Sequence, residues 1–215
     1  MQTLSQKIDV LIDEYSLLKH PFYQSRSAGT LTKGMLAGYS KEYYQLVKAV
    51  PVFSAMILAN SPVSLQKEVE GVYLEEKEHI GLWEKFARSL DIDTDTLQSY
   101  EGMQKTNTAV EKMTDACSDF ATAVTVMYAF EKEIPMISKT KLEGLAAFYN
   151  MTSKDATDYF VIHSEADVRH AALWRDVLDG MPEEKHDALL AIAKLSLEGQ
   201  NEVLDACYEE YCRMD

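Results

Sequence analysis

An all-α helical bundle is the fold class that this sequence predicts, and three observations predict it. Apolar residues recur at steps of three and four along most of the chain, the spacing of one helix face. No run of alternating β-branched residues bounded by hairpin turns competes with that pattern. Only five prolines and nine glycines interrupt 215 residues, so long helices have room to form.

The elements follow in order. A first helix is expected over residues 4–18, where Leu4, Ile8, Leu11, Ile12 and Tyr15 share a face. It stops before His20-Pro21, because proline disfavours helix in the residue before it. A second starts at Thr32, whose hydroxyl suits an N-cap, and carries Met35, Leu36, Tyr39, Tyr43, Leu46 and Val47 to a kink at Pro51, then on to Asn60. The third follows Ser61-Pro62 with Leu65, Val69, Val72, Glu76, His79, Trp83, Phe86 and Leu90 on one stripe. A fourth is expected over 109–137, through Met113, Ala116, Phe120, Val124, Met127, Glu131 and Ile134, with Pro135 bending or ending it. The fifth begins at Ser153 as N-cap and reads Ala156, Phe160, His163, Asp167, His170, Trp174 and Val177 to Leu178. A final helix or pair spans 183–211, with Pro182 at its first turn.

Polar residues interrupt three of these stripes. His163, Asp167 and His170 form HxxxDxxH, and steps of four and three place all three on one helix face. Two imidazoles and a carboxylate suit iron or manganese with open coordination positions. Glu76 and His79 interrupt the third stripe and Glu131 the fourth. A buried carboxylate without a partner neutralises or acquires a cation, so six such residues need a common explanation. Convergence of Glu76, His79, Glu131, His163, Asp167 and His170 on one or two metal ions supplies it. Glu75 also lies one turn from His79, and the choice between Glu75 and Glu76 stays open. Glu131 taken alone is more often a carboxylate bonded to a neighbouring helix; the joint occurrence favours a metal.

Composition narrows the partners. Lys and Arg number 21 against 35 Asp and Glu, a formal charge of −14 without a basic cluster, so nucleic acid and anionic membranes are not expected partners. No apolar run approaches the roughly 20 residues that span a bilayer, and the first thirty residues lack a basic segment followed by an apolar core. A cytoplasmic protein of one domain, residues 1–215, is the expectation. Cys117, Cys207 and Cys212 have no CxxC spacing and read as buried or half-buried thiols.

Four segments carry a resemblance to a known family: His20-Pro21-Phe22-Tyr23; Glu75-Glu76 through His79-Ile80-Gly81-Leu82-Trp83; Tyr128-Ala129-Phe130-Glu131-Lys132-Glu133-Ile134-Pro135; and the HxxxDxxH run. Together they resemble the haem-oxygenase-like dimetal oxidases, most of all the chlamydial death-domain-associating protein (CADD)-like para-aminobenzoate synthases, and more distantly pyrroloquinoline quinone synthase and thiaminase II. The resemblance implies a haem-oxygenase-like bundle of about seven helices, a pair of divalent ions (Fe, or Fe and Mn), dioxygen and a reductant as co-substrates, and a homodimer. It implies para-aminobenzoate synthesis for folate. Tyr23 falls where those enzymes have the tyrosine cleaved to provide the aromatic ring, Tyr39 on a second tyrosine near the metals, and Lys141 on the amino donor. Two departures stand out. Glu76 and His79 lie about one helical turn closer than the corresponding pair in those relatives, which preserves the face; and Phe130 precedes Glu131 where some of them carry tyrosine. The alternatives are a catalyst that oxidatively cleaves an external fatty acid or amino acid with Tyr23 structural, and a non-enzymatic interaction module.

Overall fold

Ten α-helices and two short 3-10 turns make up the regular structure of residues 2–213, which a computed structural model of the chain describes; no strand occurs among them. The helices are α1 (Leu4–Glu14), α2 (Pro21–Ser27), α3 (Lys33–Asn60), α4 (Gln66–Arg88), α5 (Thr94–Ser99), α6 (Gln104–Ala116), α7 (Phe120–Glu131), α8 (Ile134–Tyr149), α9 (Lys154–Asp179) and α10 (His186–Tyr211). None of these is long and apolar enough to cross a membrane.

Local chemistry accounts for the boundaries. Thr32 caps α3 as expected, its hydroxyl accepting from the Met35 amide at 3.2 Å. α3 runs through Pro51 without ending, and the Ser54 hydroxyl donates to the Val50 and Pro51 carbonyls that surround the missing amide. The helix expected over 109–137 is three helices instead. Asp119 and Thr122 form a reciprocal capping box that starts α7 afresh after Ala116, and Pro135 opens α8 rather than closing its predecessor. A hydrophobic stripe continues across such breaks when successive helices face one core, so periodicity alone cannot detect them. The first helix ends at Glu14, and a 3-10 turn at Leu17–Lys19 follows, where Glu133 accepts from the Leu17 amide and the Ser16 hydroxyl.

His20-Pro21-Phe22-Tyr23 opens α2. His20 Nδ1 accepts from the Phe22 amide at 3.1 Å, and Nε2 faces Asp205 of α10 at 3.1 Å, which fixes the Nε2–H tautomer. Pro21 occupies the first turn, where its missing amide costs nothing. The cap thereby sets the direction in which Tyr23 enters the core.

Helices α3, α4, α9 and α7 pack in a closed ring, each against the next, with α8 along α9 and α10 against α6 and α7. Trp83, Trp174, Phe53, Phe86 and Phe160 are fully buried in that core. Glu42, on the third stripe-flanking turn of α3, is also buried and accepts from the Tyr100 and Thr106 hydroxyls and the Met103 amide. It ties the α5–α6 connection to the bundle. Glu42→Ala leaves these donors without an acceptor and is expected to cost about 3 kcal/mol, read as a lowered urea midpoint with an unchanged m-value.

Candidate metal centre

The ring of four helices brings the six polar residues together. Glu76 and His79 come from α4, Glu131 from the last turn of α7, and His163, Asp167 and His170 from α9; each is at most 4% exposed. Their ligand atoms fall into two groups, Glu76 with Glu131, Asp167 and His170, and Glu76 with His79 and His163, each group within 4.8 Å. Glu76 belongs to both. Glu75 does not: its carboxylate accepts from His170 Nε2 at 2.9 Å and from Arg169 at 3.1 Å. The structure thus places Glu76 inside the cluster and Glu75 behind His170.

Surrounding groups orient the donors. With Nε2–H given to Glu75, His170 turns Nδ1 toward Glu131 (3.4 Å), Glu76 (3.5 Å) and Asp167 (3.6 Å). His163 donates Nδ1–H to the Tyr159 carbonyl at 2.6 Å, which leaves Nε2 as its lone-pair nitrogen. Trp174 Nε1 donates to one Glu131 oxygen at 2.6 Å. Trp174 reads in sequence as one more apolar member of the α9 stripe; its place four residues after His170 was the available signal.

What remains unpaired tests whether a cation fits. Glu76 Oε1, Glu131 Oε1, both Asp167 oxygens and His170 Nδ1 are buried without a hydrogen-bond partner. Such orphans are rare unless something else satisfies them. Burial raises the Glu131 carboxyl, and burial followed by Glu131 and Glu76 raises Asp167 well above the usual range. Burial and the neighbouring His79 push His163 well below its ordinary value. For His170, burial acts downward but Glu131 and Glu76 prevail, and it is raised to about 9. Carboxylates thus driven to bind protons, beside an imidazole that keeps its lone pair, are the state that divalent cations relieve. Hard oxygens with imidazole nitrogens suit iron or manganese.

Two surface clefts, of 340 and 440 Å³, lie above this cluster, one touching His79 and the other His170, and both are lined by Glu75 and Arg169. On the other side an aromatic layer begins. Tyr159 stacks on His163 with centroids 4.0 Å apart, Trp83 meets Tyr159 edge-on at 4.7 Å, and tilted contacts follow between Trp83 and Tyr43 at 4.9 Å and between Tyr43 and Tyr39 at 5.3 Å.

At the far end of that layer Tyr39 meets Tyr23 and Lys141; the three come from α3, α2 and α8, and all are buried. Lys141 Nζ donates to the Tyr39 hydroxyl at 2.8 Å and lies 5.5 Å from the centroid of the Tyr23 ring. Burial, then the Arg26 charge, holds the Lys141 amine well below the ordinary lysine value. Burial keeps the Tyr23 and Tyr39 phenols above theirs. The three residues that the sequence left far apart form one cluster.

Residues 37–200 match the family model described as iron-containing redox enzyme. The chain belongs to that family. This iron-containing redox enzyme is 29% identical to a 4-aminobenzoate synthase of Nitrosomonas europaea over 98% of this chain and 93% of the relative. It is 28% identical to a 4-aminobenzoate synthase of Chlamydia muridarum over 87% and 83%. Among solved structures it is similar to a TenA homologue from P. horikoshii, with TM-score 0.81 and 13% identity over 97% and 99% of the two chains. A CADD-like protein from Nostoc punctiforme gives TM-score 0.72 and 16% identity over 98% and 97%. These structures share its fold, the haem-oxygenase-like bundle expected from sequence.

Proposed function

We propose that this iron-containing redox enzyme makes 4-aminobenzoate, with its own Tyr23 as the source of the ring and Lys141 as the source of the amino nitrogen. The observation that carries the reading is Lys141: an amine wholly inside the core, held by Tyr39 and facing the Tyr23 ring. A buried lysine without a carboxylate is costly to keep for stability alone. The names of the relatives support the same product.

Glu76, Glu131, Asp167 and His170 would hold one divalent ion, and Glu76, His79 and His163 the other, as Fe or as Fe and Mn. Bound there, such a pair supplies activation of dioxygen with electrons from an external reductant. The chain's own residues do the rest. The helix cap at His20 and the packing of Phe22 against Tyr39, with centroids 5.0 Å apart, hold the Tyr23 ring in place. Because burial keeps the phenols protonated, oxidation of the Tyr23 ring must also release its proton, and the Tyr39 oxygen lies in that same enclosure. Burial, then the Arg26 charge, shifts Lys141 toward the neutral form, whose lone pair can bond to carbon. Cleavage of the Tyr23 side chain from the backbone then frees a benzoate skeleton that carries the Lys141 nitrogen. In balance, Lys141 Nζ would bond to the ring carbon that bears the hydroxyl, whose oxygen leaves as water; the Lys141 Cε–Nζ and Tyr23 Cα–Cβ bonds would break, and Cβ would be oxidised to the carboxylate at the expense of dioxygen and the reductant. Each chain acts once.

Complementation tests the reading. The parent chain is expected to support growth of a 4-aminobenzoate auxotroph, and Tyr23→Phe and Lys141→Ala chains are expected to fail at equal expression. Growth with either variant would falsify self-sacrifice and favour oxidation of an external substrate.

A further inference from the structure

Arg26 is a buried cation whose own hydrogen-bond donors the chemistry above does not use. It sits on α2 three residues after Tyr23 and is 3% exposed. A guanidinium cannot discharge itself by losing a proton in a protein. Its Nη2 donates to the Lys141 carbonyl at 2.8 Å, but Nη1 is buried with no hydrogen-bond partner. Although the chain contains 35 acidic residues, none forms an ion pair with Arg26 among the described residues. The groups that feel its charge are the Tyr23, Tyr39 and Tyr149 hydroxyls and the Lys141 amine. The Tyr149 and Tyr23 hydroxyls are themselves buried without partners. A second basic group, Lys141, adds to the same enclosure, and it too makes no ion pair.

A buried cation with a free donor, beside unpaired hydroxyls, is half of an ion pair. Nothing among the described residues supplies the other half, and Tyr23 lies one turn before Arg26 on the same helix. We propose that Arg26 is a receptor for an aromatic carboxylate of the benzoate class: Arg26 Nη1 binds the carboxylate that the Tyr23 ring acquires on leaving the backbone. This rests on the reading that Tyr23 supplies the ring. A carboxylate formed in this core without a cation would carry the full desolvation penalty of a buried charge. Arg26 offsets that cost from one turn along the same helix, within side-chain reach of Tyr23.

The test needs neither metal nor turnover. Tyr23→Ala vacates a ring-sized space, and apolar cavities of that kind take up free aromatic rings. Benzoate and 4-aminobenzoate are expected to raise the melting temperature of the metal-free Tyr23→Ala protein saturably and to bind at least tenfold more tightly than toluene. The preference is expected to vanish in Tyr23→Ala/Arg26→Met, with benzoate weakened at least tenfold and toluene unchanged. Arg26→Met removes an unpaired buried charge, so it is not expected to unfold the chain. If Tyr23→Ala does not fold, Tyr23→Leu leaves a smaller space, and acetate replaces benzoate as the probe, with the same dependence on Arg26. Equal binding of benzoate and toluene, or benzoate binding untouched by Arg26→Met, overturns the proposal. Failure of the self-sacrifice reading would show separately, as growth of the auxotroph with Tyr23→Phe, whatever the binding result.

Discussion

The Asp167→Asn protein is expected to lose metal affinity by at least about 100-fold at one site while becoming more stable than the parent when metal is removed. The two effects have one cause. Both Asp167 oxygens are buried and unpartnered, and burial together with Glu131 and Glu76 raises its carboxyl well above the ordinary range. Between the ordinary value and the raised one, the unfolded carboxylate is ionised whereas the folded one keeps its proton. The native state therefore binds more protons, and its stability falls as pH rises from the unfolded value of about 4 through the raised folded value. Each pH unit of that interval corresponds to about 1.4 kcal/mol. Asparagine removes the charge at nearly constant volume and with it this pH slope. On the proposed assignment the same change removes a ligand, and even partners behind metal ligands are worth about 10- to 100-fold in affinity. Thermal melts in chelator across pH 5–8, with titration of Fe(II) and Mn(II), check both halves. Parent-like affinity at both sites would remove Asp167 from the ligand set.

Lys141→Met is the second large effect. It is expected to abolish 4-aminobenzoate formation and to stabilise the chain at neutral pH. Methionine fills a similar volume, and the amine it replaces has no carboxylate near it and donates only to Tyr39. Because burial, then Arg26, depresses the folded amine below its unfolded value of about 10.4, the unfolded chain binds more protons in the interval between them. Parent stability accordingly rises with pH through that interval. The Met variant should lack the rise, and the gap between the two proteins should close toward pH 10. Isotope labelling decides the chemical half: parent protein grown with Lys labelled at its side-chain nitrogen should release labelled 4-aminobenzoate, detected by mass spectrometry. Unlabelled product from the parent would assign the nitrogen to another donor.

The convergence of the six polar residues was legible in the sequence to an unusual degree, because they sit on helices. A 3.6-residue period assigns His163, Asp167 and His170 to one face without any knowledge of neighbours, and it sets Glu76, His79 and Glu131 among apolar residues that must face a core. Helix ends were less legible. The stripe from Met113 to Ile134 crosses two breaks, at the Asp119 cap and before Pro135, because all three helices turn an apolar side toward the same core. Glu42 stayed hidden between Tyr39 and Tyr43, since its acceptors' partners lie some sixty residues away around Tyr100, Met103 and Thr106. Arg26 stayed hidden for a like reason: on a seven-residue helix there is too little periodicity to tell a buried arginine from an exposed one.

By itself the sequence determined the helical class and the chemistry on offer: three carboxylates and three imidazoles in register on apolar stripes, two tyrosines and a lysine, and an acidic composition. Only the tertiary structure decided who meets whom. Glu76 rather than Glu75 belongs to both groups because α4 turns Glu76 into the ring of helices and leaves Glu75 at its rim, where it meets His170 and Arg169 and lines the clefts. Lys141 meets Tyr39 and Tyr23, and Arg26 meets the Lys141 carbonyl, because α2, α3 and α8 close on one another across more than a hundred residues of chain. The physical reason is one of range. Local periodicity fixes the face on which a side chain lies, but the partner of that face is selected by the packing of the whole bundle.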